Sequence, residues 1–442
     1  MTGKKAVLLG AGALVLTVLV VKTILFLVDF FQPYRLPVQD WAIYQENFIS
    51  PEGRVMDTGN GHVSHSEGQG YGLIIAAAYD DRKAFDRIWE WTQKNLQTRP
   101  HDKLLSWQWK PDAQTGGAVS DQNNASDGDL LVAWALIRAH RQWGDYKYQQ
   151  AAAQILTDLA KLNVLDLKGD GLIFLPGTDG FTHDGVFTLN LSYYVFPAFR
   201  ELGAAFPGSP WEELGKSGQA LITQARFGKF HLTPDWIQLT GETVAAAGSL
   251  PIASSPATET PATPGTEAAL PVSPANESAE PIAQTPAAES NDPAPASESA
   301  ESTASAELSS TTAQASSPPE AAGAGPVEVS SKFPPDFGYN AVRIPLHLAW
   351  QNPQSPELVP FATFWKQFPP DKIPATVNVL NDSFGTDPAL PGMRAVAALT
   401  IACVDKRDLT VRALPVLTKG ESYFSASLSI LTKIAVRELF AK

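Results

Sequence analysis

Apolar side chains recur at the spacing of an α-helix along most of this 442-residue chain. The repeat is clear in GLIIAAAYDDRKAFDRIWEWTQKNL, DLLVAWALIRAHRQW and ASLSILTKIAVRELF, and the whole pattern predicts ten or more helices. Several of them are apolar nearly all round, as helices buried on both sides are, while others have a single apolar face. We therefore predict an all-α toroid with an inner and an outer layer of helices. Brief runs bounded by glycine, around GLIFLPG and DWIQLTG, predict short strands.

The first 34 residues show a different pattern. Lys4 and Lys5 precede an apolar run, and residues 6–28 are long enough to span a bilayer if Lys22 lies near an interface. Because basic flanking residues stay in the cytoplasm, we predict a signal anchor that leaves the main body on the periplasmic side of the inner membrane. The alternative is a cleaved signal peptide, with secretion to the periplasm or beyond.

A second segment, residues 245–331, interrupts the helical pattern. Its 87 residues contain no Lys, no Arg and no aromatic residue, and most are Ala, Pro, Ser, Thr or Glu. Such a composition has too little apolar bulk to offset the entropy of ordering, so we predict a disordered insertion within one helical body, residues 35–442. The insertion accounts for −11 of the formal net charge of −13, which leaves the helical body nearly neutral.

Composition and motifs exclude several classes of protein. Cys403 is the single cysteine, so a disulfide framework is excluded. An acidic chain does not favour nucleic acid as a partner, and the sequence has no Gly-rich phosphate-binding loop. His62 and His65 lie close together, but they do not predict a metal site without a Cys or a third His nearby. We therefore expect neither a metal nor a cofactor.

Two short motifs place a carboxylate at the start of a predicted helix. Ser66-Glu67-Gly68-Gln69 and Ser126-Asp127-Gly128-Asp129 each begin with a residue that favours the N-cap position. The residue three positions later is Gln or Asp, close to the capping-box pattern, so Glu67 and Asp127 are predicted at the first helical position. Acids there often only complement the helix dipole, and Glu67 is also placed to cap Ser64. If both helices are parallel members of the inner layer, the two carboxylates open at the same end.

Paired carboxylates at the mouth of an aromatic-rich helical toroid suit the hydrolysis of glycosidic bonds. One carboxylic acid protonates the glycosidic oxygen, while a second group activates water or acts as a nucleophile. Aromatic rings stack on the apolar faces of sugars. The aromatic candidates for sugar binding are Tyr71, Trp107, Trp109, Tyr193 and Trp236. For each of them, the alternative interpretation is a place in the hydrophobic core.

Several runs also resemble a known family. ASDGDLLVAWALIRAHRQW is similar to the signature of glycoside hydrolase family 8, which contains endoglucanases, chitosanases and xylanases. The runs EGRVMDTGNGHVSHSEGQGYGL, LNLSYY, TPDWIQ, GYNAVRIPLHLAW and SYFSASL follow in the order of its branch linked to bacterial cellulose synthesis. The resemblance implies an (α/α)6 barrel that hydrolyses β-1,4-linked glycans with inversion. It implies Glu67 as the general acid and Asp127 as the residue that holds the sugar at the cleavage point. The cleft it implies is lined by Trp107, Trp109, Asp121, Asn124, Asn190, Tyr193 and Arg343.

One position departs from the pattern of that branch. Where the resemblance implies an Asp as the base that activates water, this chain has Asn340, and an amide does not accept a proton at neutral pH. In the interpretation that we favour, another carboxylate is the base, with Asp336, Asp127 or an acid near the insertion as candidates. In the alternatives, Asn340 only orients the water, or the protein binds glycan and cleaves it slowly.

Together these patterns favour an exported endo-β-1,4-glucanase (a cellulase) that trims glucan chains during cellulose production. Its expected partners are β-1,4-glucan chains, the cellulose synthase complex and, through the N-terminal helix, the membrane. A non-catalytic glycan-binding subunit of a polysaccharide-export system is the alternative from another functional class. Chitosan and xylan are the alternative substrates.

Overall fold

The computed structural model describes residues 32–168, 171–244 and 326–441. The predicted membrane span and nearly all of the predicted insertion lie outside the described residues. Within the described ranges, no helix has the length and apolar character needed to cross a membrane. The helices are α1 (Val38–Phe48), α2 (Ser66–Ala78), α3 (Arg82–Asn95), α4 (Ser126–Trp143), α5 (Tyr146–Asn163), α6 (Phe196–Ala205), α7 (Trp211–Gln224), α8 (Arg343–Gln351), α9 (Val359–Trp365), α10 (Pro391–Val404) and α11 (Tyr423–Phe440).

Six of these helices form a closed inner ring. α2, α4, α6, α8, α10 and α11 contact one another in that order, and α11 returns to contact α2. Burial extends around these helices: in α4, every residue from Ser126 to Ile137 is buried. A helix in this position needs apolar residues on all faces, which is the pattern that predicted the inner layer.

The other five helices pack against members of the ring and alternate with them along the chain as far as α10, whereas the connection from α10 to α11 contains only the short 3-10 helix Val411–Ala413. α1 contacts α11, α3 contacts α2, α5 contacts α4, α7 contacts α6 and α9 contacts α10. In α3, Phe85, Ile88 and Trp89 are buried at helical spacing while Glu90 is exposed, as expected of a helix with one apolar face. The inner and outer helices confirm the predicted all-α fold, an (α/α)6 barrel.

Short antiparallel strands lie in the connections between helices. The first sheet has the order β1 (Ser64–His65), β2 (Gln108–Lys110) and β3 (Ala118–Asp121), and a second has the order β5 (Gly171–Phe174), β4 (Val164–Leu167) and β9 (Thr243–Val244). A third has the order β10 (Glu328–Val329), β8 (Ile237–Thr240), β7 (Val186–Leu189) and β6 (Thr182–His183), and β11 (Asp336–Phe337) pairs with β12 (Val377–Asn378). β5 and β8 confirm the two strand predictions.

The undescribed segment 245–325 starts directly after β9, in the second sheet, and is followed by β10, in the third. β8 lies just before β9 in the chain and pairs with β10, with Gln238 opposite Glu328 and Ile237 opposite Val329. Gln238 Nε2 also donates to Glu328 Oε2 at 2.9 Å. The chain is therefore held in a sheet on both sides of the segment, by the pairing of β9 with β4 and of β10 with β8.

Candidate active site

Glu67 and Asp127 lie side by side because the first turns of α2 and α4 are in close contact. Each is the second residue of its helix. A Cβ atom at Gly128 would lie 2.1 Å from Ser66 Oγ and 2.7 Å from the Glu67 nitrogen, so this approach requires glycine. The two acids that the sequence places at helix starts therefore meet at one end of the inner ring.

The predicted capping by serine is wrong. Ser66 and Ser126 are the first helical residues, and both are buried. The N-cap residues are His65 and Ala125, of which only His65 caps through its side chain. The N–H of Gly68 donates to His65 Nδ1 at 3.0 Å. A ring nitrogen thus takes the role that the sequence pattern assigned to a hydroxyl oxygen, and Glu67 moves one position further into its helix.

Gln69 and Asp129, the residues expected to complete the capping boxes, bind neighbouring segments instead. Gln69 Oε1 accepts the N–H of Val55 at 2.6 Å, and its Nε2 donates to Thr92 Oγ1 at 2.7 Å. Asp129 Oδ1 accepts the N–H of Leu105 at 2.7 Å. Both side chains therefore tie α2 and α4 to neighbouring segments instead of closing their own first turns.

Arg343, the first residue of α8, joins both carboxylates. Its Nη1 donates to Glu67 Oε1 and, at 3.3 Å, to Asp127 Oδ2. The Tyr71 hydroxyl donates to the same Glu67 oxygen at 2.7 Å. The guanidinium carbon lies 5.7 Å from the centre of the Tyr193 ring. Because Arg343 is only 3% exposed, the two carboxylates compensate its charge in place of water.

Burial sets the protonation of this cluster. Burial and the nearby Glu67 carboxylate raise the pKa of Asp127, and Arg343 opposes that shift. Burial also raises the pKa of Tyr71 and of Tyr193 well above the ordinary range, so both remain neutral phenols. Burial therefore favours the protonated form of Asp127, while the half-buried Glu67 carboxylate is bound by Arg343 and Tyr71.

Asn340 lies beside this cluster and orients the arginine. Its Oδ1 accepts a hydrogen bond from Arg343 Nη2 at 2.7 Å, and its backbone oxygen accepts one from Nε at 3.3 Å. The amide oxygen is therefore occupied by a cation, and the arginine is held on the side opposite Glu67 and Asp127.

Asp235 holds the turn that carries Asn340, and sequence analysis did not single it out. Its Oδ1 accepts three backbone N–H groups, from Gly338 at 3.1 Å, Asn340 at 3.1 Å and Ala341 at 2.6 Å. Burial raises the pKa of Asp235 to about 6, although the three donors oppose the shift. The run TPDWIQ contains Asp235, but no local signal in it identifies the distant turn to which this carboxylate binds.

A cavity of about 160 Å³ opens beside the two carboxylates. Trp107 and Tyr193, which were both predicted to bind sugar, contribute its aromatic rings. The polar residues that the sequence analysis missed come from the segment just before α2. The lining residues are Asp57, Asn60, His65, Ser66, Glu67, Trp107, Ala125, Asp127 and Tyr193. Aromatic faces together with hydrogen-bond acceptors suit a sugar unit, which has apolar faces and a rim of hydroxyls.

His65 lies between two carboxylates of this cavity. Its Nε2 is 3.7 Å from Asp57 Oδ2, and its Nδ1 is 4.0 Å from Glu67 Oε2. Because Nδ1 accepts the N–H of Gly68, the neutral ring carries its proton on Nε2, toward Asp57. Burial lowers the pKa of His65, but Asp57 and the neighbouring carboxylates outweigh it, and the net shift is upward. In the described ranges, no group of three or more His, Cys, Asp or Glu side chains is placed to hold a metal ion.

Two tryptophans that were predicted to bind sugar have aromatic or cationic neighbours on their rings. Trp109 is 8% exposed, with Trp91 packed against it edge to face and the Arg54 guanidinium over its ring. Trp236 is half-buried, and Phe333 stacks on it with 4.2 Å between ring centres. Neither tryptophan lines the cavity.

Two asparagines that were predicted to line the cleft are buried in structural contacts. Asn124 Nδ2 donates to Asp129 Oδ2 at 2.9 Å. Asn190 Oδ1 accepts from the backbone N–H of Ser192 at 3.0 Å and from its hydroxyl at 2.6 Å. Both side chains are buried and neither lines the cavity, contrary to the expectation that they would.

Two predicted acids lie outside the cavity. Asp121 is exposed at the end of β3, where its Oδ1 accepts the N–H of Asn123 at 2.9 Å. Asp336, a candidate for the base, is half-buried in β11, and its backbone oxygen accepts the N–H of Asp235 at 2.7 Å. The backbone of Asp336 thus supports the site, while its side chain is not among the groups that line the cavity.

The chain is similar to proteins of one family along most of its length. Residues 20–255 match the model of glycosyl hydrolases family 8. A probable endoglucanase of Novacetimonas hansenii is 31% identical over 402 residues, which cover 90% of this chain and 91% of that protein. The family 8 endoglucanase Cel10 of Klebsiella pneumoniae has a similar structure, with a TM-score of 0.66 and 29% identity over 90% of this chain and 98% of that one. The endo-β-1,4-glucanase CMCax of Acetobacter xylinum gives a TM-score of 0.65 and 30% identity over 90% and 96% of the two chains.

Proposed function

Because the chain belongs to glycosyl hydrolase family 8 and is a glycoside hydrolase of the cellulase type, we propose that it cleaves internal β-1,4 linkages of glucan with inversion. The observation that carries this proposal is the pair of carboxylates, Glu67 and Asp127, held by Arg343 beside a cavity with aromatic walls. The endoglucanases among its relatives support a glucan as the substrate.

Glu67 is the general acid in this proposal. Its Oε1 accepts from both Arg343 and Tyr71, which leaves Oε2 to carry the acidic proton. That proton passes to the glycosidic oxygen as the bond from the anomeric carbon to this oxygen breaks. Arg343 then stabilises the carboxylate that remains. Asp127, on the same guanidinium, accepts hydrogen bonds from sugar hydroxyls and holds the ring at the cleavage point.

We also propose a cellular role in cellulose production, on the periplasmic side of the inner membrane or after export. The support is the sequence: residues 6–28 are apolar and follow two lysines, and the motif runs resemble the branch linked to cellulose synthesis. Glucan chains are then the substrate, and the cellulose synthase complex is a partner.

Replacing Glu67 with Gln tests the assignment of the acid. Gln keeps the size of the side chain and accepts from Tyr71, but it has no acidic proton, so kcat on soluble carboxymethyl-cellulose should fall about 10²–10⁴-fold. Reducing ends released by the purified protein are the measurement, and Glu90→Gln on the exposed side of α3 is the matched control. Unchanged turnover in Glu67→Gln would reject the assignment.

A second candidate function, binding of glycan without efficient cleavage, is favoured by Asn340 alone. The same assay separates the two functions, because turnover that depends on Glu67 excludes pure binding. A panel of soluble cellulose, chitosan and xylan identifies the substrate, and a preference for either of the last two would replace glucan in the proposal.

A further inference from the structure

An inverting glycosidase needs a carboxylate that takes a proton from the attacking water, and Asn340 does not supply one. Its amide oxygen accepts from Arg343 Nη2 at 2.7 Å, and an amide has no basic site at neutral pH. The base must therefore be another carboxylate that faces the reacting water. Among the described residues, the carboxylates that line the cavity are Asp57, Glu67 and Asp127.

Asp127 is too close to Glu67 for this role. Its Oδ2 and Glu67 Oε1 both contact the same atom, Arg343 Nη1, one of them at 3.3 Å and the other at a shorter distance. Two oxygens bound to one nitrogen lie closer together than the separation of about 6.5–9.5 Å that leaves room for a water between acid and base. The other oxygen, Asp127 Oδ1, accepts the N–H of Gly128 at 2.8 Å.

Asp57 has the position that Asp127 lacks. It is separated from Glu67 by the imidazole of His65, with one ring nitrogen 3.7 Å from Asp57 and the other 4.0 Å from Glu67. Because the two carboxylates contact different nitrogens of one ring, the separation between Asp57 and Glu67 fits that expected between the acid and the base of an inverting enzyme. Neither Arg343 nor any other guanidinium or ammonium group contacts Asp57 in the ion pairs found among the described residues.

The segment around Asp57 is held firmly. The N–H of Asp57 donates to the Val63 oxygen at 2.8 Å, and its own backbone oxygen accepts from Asn60 at 3.2 Å. Its Oδ1 accepts the N–H of Gly59 at 3.0 Å, which leaves Oδ2 facing His65 and the cavity. A fixed carboxylate with one oxygen directed to the cavity can orient a water molecule.

We propose that Asp57 is the base that activates water in this chain. The proposal rests on the proposed function above. As the water oxygen bonds to the anomeric carbon, one water proton passes to Asp57, while Glu67 gives its proton to the departing sugar oxygen. The glycosidic bond breaks, one water is added, and the cycle closes when Asp57 releases a proton to solvent and Glu67 takes one up.

The test compares Asp57→Asn and Asp57→Ala with the wild type on a soluble cello-oligosaccharide. We expect kcat to fall about 10²–10⁴-fold in both variants with little change in KM. Asn keeps the acceptor for Gly59, so it maintains the turn if the Ala variant fails to fold. Asp112→Ala is the matched control, because Asp112 is exposed and its Oδ1 likewise accepts backbone N–H groups of its own turn, from Gln114 at 3.0 Å and Thr115 at 2.7 Å.

Sodium azide separates a base from a residue that only positions His65. A small anion fills the space of a truncated base and attacks without needing deprotonation, so azide should raise the rate of Asp57→Ala at least about tenfold and yield the α-glycosyl azide. Glu67→Gln should not respond in this way.

Several results would overturn the assignment. One is an Asp57→Asn variant that retains more than about a tenth of the wild-type kcat, and another is loss of activity that azide does not restore. A β-configured product, seen by NMR in the first minutes, would also overturn it, because it means retention. A wild type that cleaves none of the glycans would remove both this assignment and the proposed function, whereas an active wild type with an active Asp57→Asn variant rejects Asp57 alone.

Discussion

Replacing Asp235 with Asn should stabilise the barrel at neutral pH. The carboxylate accepts three backbone N–H groups through one oxygen, and an Asn oxygen can accept the same three. What the substitution removes is the charge. Burial raises the pKa of Asp235 to about 6 in the folded protein, compared with about 3.9 in an unfolded chain.

The sign and size of the effect follow from this difference. A carboxyl whose folded pKa is raised favours folding most in its protonated form, so its contribution is full below about pH 4 and is lost as the pH rises through about 6. Compared with a group that stays neutral, Asp235 therefore lowers the free energy of unfolding by about 2–3 kcal/mol at pH 7.5 and by about 1 kcal/mol at pH 4.5. The amide of the Asp235→Asn variant does not titrate, so this variant should gain that amount over the wild type at pH 7.5 and much less at pH 4.5.

Urea unfolding of both proteins at pH 7.5 and pH 4.5 measures this gain, and taking the difference between variant and wild type cancels the titration of all other groups. Asp235→Ala is the control, because it removes the acceptor as well as the charge. The Ala variant should be less stable than the Asn variant by at least about 1–3 kcal/mol at both pH values, since both lack the charge but only Ala leaves three N–H groups without their partner. An Asn variant that is less stable than the wild type at pH 7.5, or a difference that does not change with pH, would refute the reasoning.

Two further substitutions test the packing that supports the site. Gly128→Ala should lower kcat at least about tenfold and destabilise the fold by about 1–3 kcal/mol, because the new methyl group would lie 2.1 Å from Ser66 Oγ and would push the starts of α2 and α4 apart. Gly420→Ala, which meets no atom within 4 Å, is its control, and equal activity of the two variants would contradict the prediction. Lys433→Met should cost about 3–5 kcal/mol in urea unfolding, because it leaves Asp40, its partner at 2.6 Å, as an unpaired buried charge. The double variant Lys433→Met/Asp40→Leu should recover most of that loss, and a double variant as unstable as the single one would argue against the ion pair as the cause.

The barrel could be predicted from the sequence because its two layers impose two different patterns. Inner helices such as α4 are buried on all sides and need apolar residues all round, whereas outer helices such as α3 need one apolar face. The short strands β5 and β8 were recognisable from brief apolar runs next to glycine. The caps were not predictable in detail, because His65 competes with Ser66 for the same position and only the backbone conformation decides which residue begins the helix.

The site could be predicted only in part, and the missing residues share a physical reason. Glu67 and Asp127 each stand at the start of a helix, so a local motif identified both of them. Asp235 acts on a turn more than 100 residues away, and Asp57 faces the cavity through a turn with no strong periodic pattern. Contacts between distant turns depend on how the whole barrel closes, and neither propensity nor spacing encodes them. Asn124 was misplaced for a related reason, since a polar residue next to a catalytic motif is as easily a structural partner as a ligand of the substrate.

The pairing of β8 with β10 makes this position in the fold permissive for evolutionary change. Loop closure costs only about 0.6 kcal/mol more for each doubling of the length of the loop. The two strands already lie side by side, with Ile237 opposite Val329, so their register does not depend on how many residues separate them. Insertions and deletions between β9 and β10 therefore cost little in loop-closure entropy, and selection can lengthen, shorten or exchange the intervening segment without rebuilding the catalytic end of the barrel.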